Sequence, residues 1–305
     1  MWEHNYRDTN RINCYDTGTS PCKTACPAHI AIQGYLQLTK EGKYREALEL
    51  IKKDNPLPAI CGSICNKYCE AECTRGEVDD PVAIDDVKRF VAELDLNSKT
   101  RYIPEPVVPS LKGKFDQKIA VIGSGPAGLS CAYYLALKGY KPTVFEKNDK
   151  PGGMLMYGIP TFKLEKDIIE AEVDIIKEMG VEFKFNTEVG KDVSLDDLRA
   201  QGYKAFFVGI GCQDGRKPGV PGQDADGVLT AVDFLREAAT NQKSEVSGNV
   251  VVIGGGNVAI DTARSVRRFT DGDITMFSLE SEKEMPAKPE EIEDAIADNI
   301  KIENS

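Results

Sequence analysis

The sequence predicts an α/β protein in three parts: a helical cysteine-rich region, then two strand–turn–helix units of the kind that binds dinucleotides, the second incomplete. Three observations predict it. Seven of the nine cysteines fall between residues 14 and 73. A Gly-x-Gly-x-x-Gly run at residues 123–128 sits between a buried-strand pattern and a helix, within a strand–turn–helix–strand stretch at 118–147. A near-copy of it recurs from residue 249. The boundaries these imply are a helical cysteine-rich domain at 1–100, a proline-bearing linker at 101–117, a first nucleotide-binding domain at 118–228 and a second at 229–305. Only 46 residues follow Ala259, so the second domain is expected to stop short of its closing strands, as a truncated or split chain would.

Composition narrows the function classes. The chain has 305 residues, 41% hydrophobic and 29% charged, as expected of a globular protein of two or three domains. Its 38 basic and 49 acidic residues leave a net charge of −11, which argues against nucleic acid or an anionic membrane surface as partner. No run approaches the roughly 20 apolar residues needed to span a bilayer. The N-terminal "MWEHNYRDTN" lacks the apolar core of a signal peptide, so a cytoplasmic, reducing location is expected. In that setting cysteines read as metal ligands rather than disulfides. Only two histidines occur, His4 and His29, too few for an imidazole-rich zinc site.

The first domain rests on "CGSICNKYCEAEC", which places Cys61, Cys65, Cys69 and Cys73 four residues apart. Helix neighbours at that spacing lie about 5–6 Å from each other on one face, which suits soft-metal ligation. A continuous helix would hold Cys61 and Cys73 roughly 18 Å apart, so the stretch must bend or share its thiols between two centres. Upstream, "CYDTGTSPCKTACPAHI" supplies Cys14, Cys22 and Cys26, followed by Pro27. Its Cys-x3-Cys-Pro ending is the tail of the bacterial ferredoxin run, whose last cysteine serves the other cluster. The same logic sends Cys22 and Cys26 to different clusters, each completed from residues 61–73. Zinc, whose structural sites favour cysteine pairs two to four apart in sets of four, and inert packed thiols are the alternatives. Seven cysteines suit neither a single zinc nor two cubes each held by four thiolates. Between the cysteine groups, "IQGYLQLTKEGKYREALELIKKDNP" reads as helical, with Tyr35, Leu38, Ala47, Leu48 and Ile51 as core positions. "VAIDDVKRFVAEL" is a further helix.

The second domain opens on "KIAVIGSGPAGLSCAYYLALKGYKPTVFEK". Gly123 makes the tight turn, Gly125 lets backbone approach a pyrophosphate, and Gly128 lets helix pack on strand. The helix N-terminus then faces the phosphates with its positive dipole end. Glu146 ends the next strand, 18 residues after Gly128, placed to accept from a ribose hydroxyl. The pattern is Rossmann-like, and it returns at "NVVVIGGGNVAIDTARSVRRF" with Gly254, Gly256 and Ala259, then the strand "DITMFSLE". The echo extends beyond the fingerprints: "GIPTFKLEKDIIEAEVDIIKEMGVEFKFN" after the first is matched by "EMPAKPEEIEDAIADNIKIENS" after the second. Two such units in tandem imply two dinucleotides exchanging electrons. Cys131 and Cys212 have no cysteine two or three residues away, which argues against a dithiol reductase and for two packed thiols.

With these motifs in order, the sequence resembles the flavoprotein family of the glutamate synthase small subunit. That family includes the N-terminal half of dihydropyrimidine dehydrogenase and the NADPH subunit of electron-bifurcating transhydrogenases. The likeness covers nearly the whole chain, through "CPAHI", "NPLPAICGSIC", "IGSGPAGLSCA", "PGGMLMYGIPTFKLEKD", "EVGKDV", "GIGCQDGRKPGVPG", "VVVIGGGNVAIDTAR" and "EMPA". The resemblance implies that the first unit binds FAD, with Gly123, Ser124, Gly125, Pro126, Ala127, Gly128, Glu146 and Lys147 on its ADP half. It places Gly152, Gly153 and Met154 near the flavin, Val189 near the adenine, and Gly211 in the same site. The second unit would bind NAD(P)H through Gly254, Gly256, Asn257, Ala259, Ser278 and Glu280. Cys14, Cys22, Cys26, Cys61, Cys65, Cys69 and Cys73 would hold two [4Fe–4S] clusters. The chain also departs from the family pattern. Arg11 stands at the first cysteine place, seven residues separate Cys14 from Cys22, and three rather than five separate Cys65 from Cys69. Lys88 stands where a Gln or Glu ligand is usual, and Cys61, usually a bystander, is a candidate replacement.

The function expected is an oxidoreductase that passes electrons from NAD(P)H through FAD and the clusters to a partner. That partner would be a glutamate synthase large-subunit-like protein, a pyrimidine-reducing subunit or a ferredoxin. A non-catalytic cluster-bearing interaction module is the alternative. Hydride transfer between stacked rings needs positioning rather than a protein acid or base, so no catalytic side chain is expected. Aligning "PTVFEK" with "ITMFSLE" puts Ser278 at the place of Glu146, with Leu279 and Glu280 where NADP-linked relatives carry adjacent arginines. A carboxylate there repels a 2′-phosphate, which favours NADH. Arg264, Arg267 or Arg268 on the preceding helix would have to reach that phosphate for NADPH to bind well.

Overall fold

The structure is a computed structural model that describes residues 20–106, 115–215, 217–241 and 246–305. Cys14 and Arg11 lie outside the described residues. The chain divides into two compact units. The first runs to Pro151 and resumes over Lys166–Ile210; the second comprises Gly152–Glu165 and Gly211–Ser305.

The first unit opens with α1 (Pro21–Ala25), α2 (Ile32–Lys40) and α3 (Tyr44–Lys52). The stretch read as helical from residue 32 is thus two helices. Gly42, with φ 74°, makes the left-handed residue that ends α2, and the Gly42 and Lys43 amides turn back onto the Thr39 and Leu38 carbonyls. Tyr35, Ala47, Leu48 and Ile51 are buried as expected, and Leu38 is half-buried against them. Residues 61–73 bend rather than run as one helix. They split into α4 (Pro58–Ile64) and α5 (Tyr68–Ala71), with Cys65 extended and Lys67 left-handed at φ 55° between them. The helix α6 (Ile84–Leu96) packs so closely on α4 that a Cβ on Gly62 would lie 2.6 Å from Arg89 Cβ.

A four-stranded parallel sheet follows in the order β3-β2-β1-β4, from β1 (Lys118–Ile122), β2 (Thr143–Phe145), β3 (Glu182–Lys184) and β4 (Tyr203–Val208). Between β1 and β2 runs α7 (Pro126–Leu137); α9 (Lys166–Glu178) precedes β3, and α10 (Leu195–Ala200) precedes β4. An apolar stripe on α9 explains why the cysteine-bearing helices and the sheet form one body. Ile175 of α9 belongs to the same buried cluster as Tyr35, Leu48 and Val91.

The second unit carries a three-stranded parallel sheet, β5-β6-β7, from β5 (Val250–Ile253), β6 (Ile274–Ser278) and β7 (Lys301–Asn304). Beside it lie α11 (Ala231–Asn241), α12 (Asn257–Val266) and α13 (Pro289–Ala297). The pair α13–β7 repeats the pair α9–β3 of the first unit. The segment Gly152–Glu165, which includes α8 (Met154–Tyr157), belongs here although it follows the first fingerprint in sequence. Charge explains the grouping. Lys163 bridges Asp261 of α12 and, at 2.6 Å, Glu291 of α13. The Phe162 ring also receives the guanidinium groups of Arg264 and Arg268, at 4.9 and 3.8 Å.

Candidate functional site

The first glycine turn has three positions with different demands. Gly123 adopts φ 95°, and a Cβ there would sit 2.5 Å from the Gly209 carbonyl oxygen. A Cβ on Gly128 would lie 1.9 Å from the Gly123 carbonyl oxygen, so only glycine allows α7 to pack on β1. Gly125 differs: its φ is −69°, and a Cβ there would meet nothing within 4 Å. It is the N-cap of α7, Pro126 is at the first helical position, and no side chain caps the helix. The uncapped amides and positive dipole end border open space, which fits a pyrophosphate. Glu146, buried just after β2, ties the turn down. Its carboxylate accepts from the Ser124 amide at 2.9 Å and hydroxyl at 2.6 Å, and from the Asn148 amide at 2.9 Å. Pro126, Ala127 and Lys147 are exposed, and Val189 pairs with Val193 beside the core of Ala120, Phe145 and Tyr203. Gly209 was not picked out from the sequence, although its place at the end of the strand "KAFFV" beside the glycine turn is the signal for it.

Gly152 and Gly153, both buried at positive φ, and Met154 at the start of α8 fall in the second unit, as does Gly211 at φ 71°.

The second glycine turn repeats the first with one addition. Gly254 has φ 138°, a Cβ there would lie 3.3 Å from Ala259 Cβ, and Gly256 is the N-cap of α12, again without a side-chain cap. The middle glycine, Gly255, was missed by the three-position fingerprint. A Cβ on it would lie 2.3 Å from Ser278 Oγ and 2.9 Å from Glu280 Oε2. The residues at the end of β6 therefore close directly on the turn. The Ser278 hydroxyl donates to Glu280 Oε2 at 2.7 Å, and the Glu280 amide donates to Ser278 Oγ at 3.2 Å. From the other side, the Ala287 amide donates to the Gly255 carbonyl at 3.1 Å and the Lys288 amide to Asn257 Oδ1 at 3.0 Å. All three arginines of α12 and its end are engaged. Arg264 holds Asp294 and Asp298, Arg267 donates to the Thr270 and Gly272 carbonyls, and Arg268 lies over Phe162.

The cysteines are distributed over the ends of short helices. Cys22 lies in α1 and Cys26 is its C-cap; Cys61 lies in α4 and Cys65 is its C-cap; Cys69 lies in α5 and Cys73 follows it. Among the described residues, none of the six forms a disulfide. Cys22, Cys26 and Cys69 line one core, where α1 packs on α5. Among the described residues, no three Cys, His, Asp or Glu side chains converge in metal-binding geometry. Burial pushes the Cys69 thiol up to about 12, with the charges of Cys65, Glu70 and Cys26 adding to it. Burial likewise raises Cys61 to about 11, against the lowering effect of the Lys88 ammonium. Thiols this reluctant to ionise lose their protons only to a strongly bound cation, and a metal supplies one. Soft donors at the helix ends have the chemistry for iron–sulfur ligation, and the raised pKa values of Cys61 and Cys69 make those two poor free nucleophiles.

Residues 117–304 match the family described as pyridine nucleotide-disulphide oxidoreductase. The chain belongs to that family. Residues 3–100 match dihydropyrimidine dehydrogenase domain II, 4Fe-4S cluster, so a domain of the iron–sulfur type is joined to a flavin and nicotinamide oxidoreductase domain. The chain is 38% identical over 304 residues to NADP(+)-dependent formate dehydrogenase subunit beta of Moorella thermoacetica, covering 92% of this chain and 42% of that one. It is 36% identical over 304 residues to the glutamate synthase [NADPH] small chain of Escherichia coli, covering 95% of this chain and 63% of that one. The resemblance to the glutamate synthase small-subunit group therefore holds, and the chain spans less than two thirds of either relative. Its fold is shared with 6-hydroxypseudooxynicotine amine oxidase of Pseudomonas geniculata, at TM-score 0.55 and 18% identity over 92% of this chain and 40% of that one. Among the described residues, no helix is long and apolar enough to cross a membrane.

Proposed function

We propose that the chain is the nicotinamide-oxidising part of an electron-transfer enzyme. NADH would bind at the second glycine turn, FAD at the first, and two [4Fe–4S] clusters on Cys14, Cys22, Cys26, Cys61, Cys65, Cys69 and Cys73. The observation that carries the reading is the pair of uncapped helices α7 and α12, each opened by a glycine N-cap behind a parallel strand. They are joined in one chain to the cysteine-bearing helices. When bound, the dinucleotides supply two-electron hydride chemistry and the clusters one-electron chemistry. The chain's own part is binding and orientation. Gly125 leaves room for a pyrophosphate, Gly123 and Gly128 hold the turn that presents it, and Glu146 fixes the loop. Gly152, Gly153, Met154, Val189 and Gly211 complete the proposed FAD set. The working division is 1–100 for the clusters, 118–228 for FAD and 229–305 for the nicotinamide.

The coenzyme preference rests on Glu280. Its carboxylate, held by Ser278 beside Gly255, is placed to accept from a ribose hydroxyl and to repel a 2′-phosphate. The arginines that a phosphate would need are engaged elsewhere. The two relatives are named for NADP(+) and NADPH, so this chain is proposed to differ from them. Those relatives are also named as a subunit and a small chain, which supports an electron-accepting partner protein. The absence of disulfides among the described residues supports a reducing compartment such as the cytoplasm.

Anaerobic purification tests the reading. Flavin bands over a broad brown absorbance, with about eight irons per chain, are expected for two four-iron clusters. A colourless protein carrying zinc would overturn it. Titration with both nucleotides tests the preference: NADH should reduce the flavin at lower concentration, and Glu280→Arg should shift the preference towards NADPH.

A further inference from the structure

A buried charge pair joins the flavin fold to the cysteine helices. Glu172, on α9, is 1% exposed, and Lys52, at the end of α3, is 3% exposed. Glu172 Oε1 accepts from the Ala59 amide at 3.2 Å, and Oε2 accepts from the Ile60 amide at 3.3 Å. These are the second and third residues of α4, whose own N-cap, Leu57, offers no side-chain acceptor. The donors left open at a helix start are therefore satisfied by a carboxylate from another fold. Lys52 Nζ stands 3.9 Å from Glu172 Oε1 and has no hydrogen-bond partner of its own. The backbone is gripped as well: the Tyr133 hydroxyl of α7 donates to the Lys52 carbonyl at 2.8 Å.

What this grip holds is specific. The helix α4 carries Cys61 in its second turn and ends at Cys65. Asn55, in the loop between Lys52 and α4, accepts from the Leu57 amide at 3.1 Å and faces Cys61 Sγ at 3.6 Å. The groups facing Glu172 are Lys52 from α3, Cys61 from α4, Lys88 from α6 and Tyr133 from α7. An ordinary structural cap would be supplied by the helix's own flank, at far lower desolvation cost.

We propose that Glu172 is a positioning residue of the electron path: from the flavin fold, with Lys52 as counter-charge, it fixes the helix that presents Cys61 and Cys65 to their iron–sulfur cluster. The inference rests on the reading that those cysteines ligate a cluster. Glu172 acts in two ways. Its two hydrogen bonds set the orientation of α4, and its negative charge lies in a low-dielectric region beside the cluster's ligands, where it disfavours the arrival of an electron.

The test uses the full iron-loaded chain. Redox titration at pH 8 followed by electron paramagnetic resonance gives the native cluster potential. In Glu172→Gln, which keeps one acceptor and removes the charge, the potential should be higher than in the native chain. A Gln variant with native iron content and the native potential would overturn the proposal. If the native chain holds no iron, the cluster reading fails, and amide exchange on the metal-free protein decides the remainder. Faster exchange at Ala59 and Ile60 in both Glu172→Gln and Lys52→Met, with α2 and α6 unchanged, supports the clamp. Unchanged exchange in both overturns it.

Discussion

Gly125→Ala separates binding from folding at the first glycine turn. Gly125 has φ −69° and ψ −179°, a backbone any residue adopts, and a Cβ there would meet no protein atom within 4 Å. Gly125 is the N-cap of α7, where alanine is a poorer cap than glycine, so the flavin-free variant should fold with stability lowered by no more than about 1 kcal/mol. The penalty falls on the ligand. The added methyl stands where the pyrophosphate would approach the backbone, and one extra carbon in a packed contact costs about 1–3 kcal/mol. At about 1.4 kcal/mol per tenfold in affinity, FAD should bind about 5- to 150-fold more weakly. Gly125→Val, bulkier and branched, should be isolated without flavin. Gly128→Ala is the control, because its Cβ would lie 1.9 Å from the Gly123 carbonyl oxygen and the fold itself must give way. Calorimetry on flavin-free protein and flavin titration by fluorescence read the two effects separately. Native flavin affinity in a folded Gly125→Val would refute the assignment of this turn. A Gly125→Ala thermal midpoint lowered as far as that of Gly128→Ala would refute the claim that the position is open.

Three further outcomes follow from buried contacts. Lys163→Met leaves Asp261 and Glu291 facing each other without their shared cation, and breaking this part-buried arrangement should cost more than the ~1 kcal/mol of an exposed pair and less than the ~3–5 kcal/mol of a fully buried one, read as a lower denaturant midpoint at constant slope. Glu172 keeps its proton up to about pH 7 when folded and releases it near 4.5 when unfolded, so its contribution to stability is full below 4.5 and is lost as pH rises through 7. That gap bounds the loss at about 3 kcal/mol, and Glu172→Gln should flatten the stability profile between those two values. Gly62→Ala puts a Cβ 2.6 Å from Arg89 Cβ and 2.8 Å from its Cα; a thermal melt should show about 1–3 kcal/mol of destabilisation as α4 and α6 are forced apart.

The glycine turns were legible because their requirement is local. Gly128 answers to the Gly123 carbonyl within the same turn and Gly123 to its own φ of 95°, so their spacing carries the geometry, whereas the Gly209 carbonyl that Gly123 also meets lies far along the chain. The same holds for Ser278 and Glu280, which the alignment of the two repeats placed at the strand end where they lie. The cysteine region was legible only in part. Its periodicity announced helices, but the breaks depend on Gly42 and on Lys67 at φ 55°, a conformation that lysine does not advertise. Least legible were the contacts set by docking. Nothing near Glu172 in sequence says that its carboxylate caps a helix beginning more than one hundred residues earlier. Nor does "GIPTFKLE" say that its lysine will choose Asp261 and Glu291. Glu172 and Lys52 sit on the apolar faces of α9 and α3, three residues after Ile169 and four after Leu48, where the helical pattern calls for a hydrophobic side chain, and Lys163 lies in the turn before α9. Glu172 and Lys52 are buried because two amphipathic elements close over them, and a charge survives such closure only when its partner arrives in the same step. Patterns of period 3.6 and 2 specify which faces meet. The buried ions record which faces met, so they are visible only in the folded chain and mark the joints where one part of it can sense the state of another.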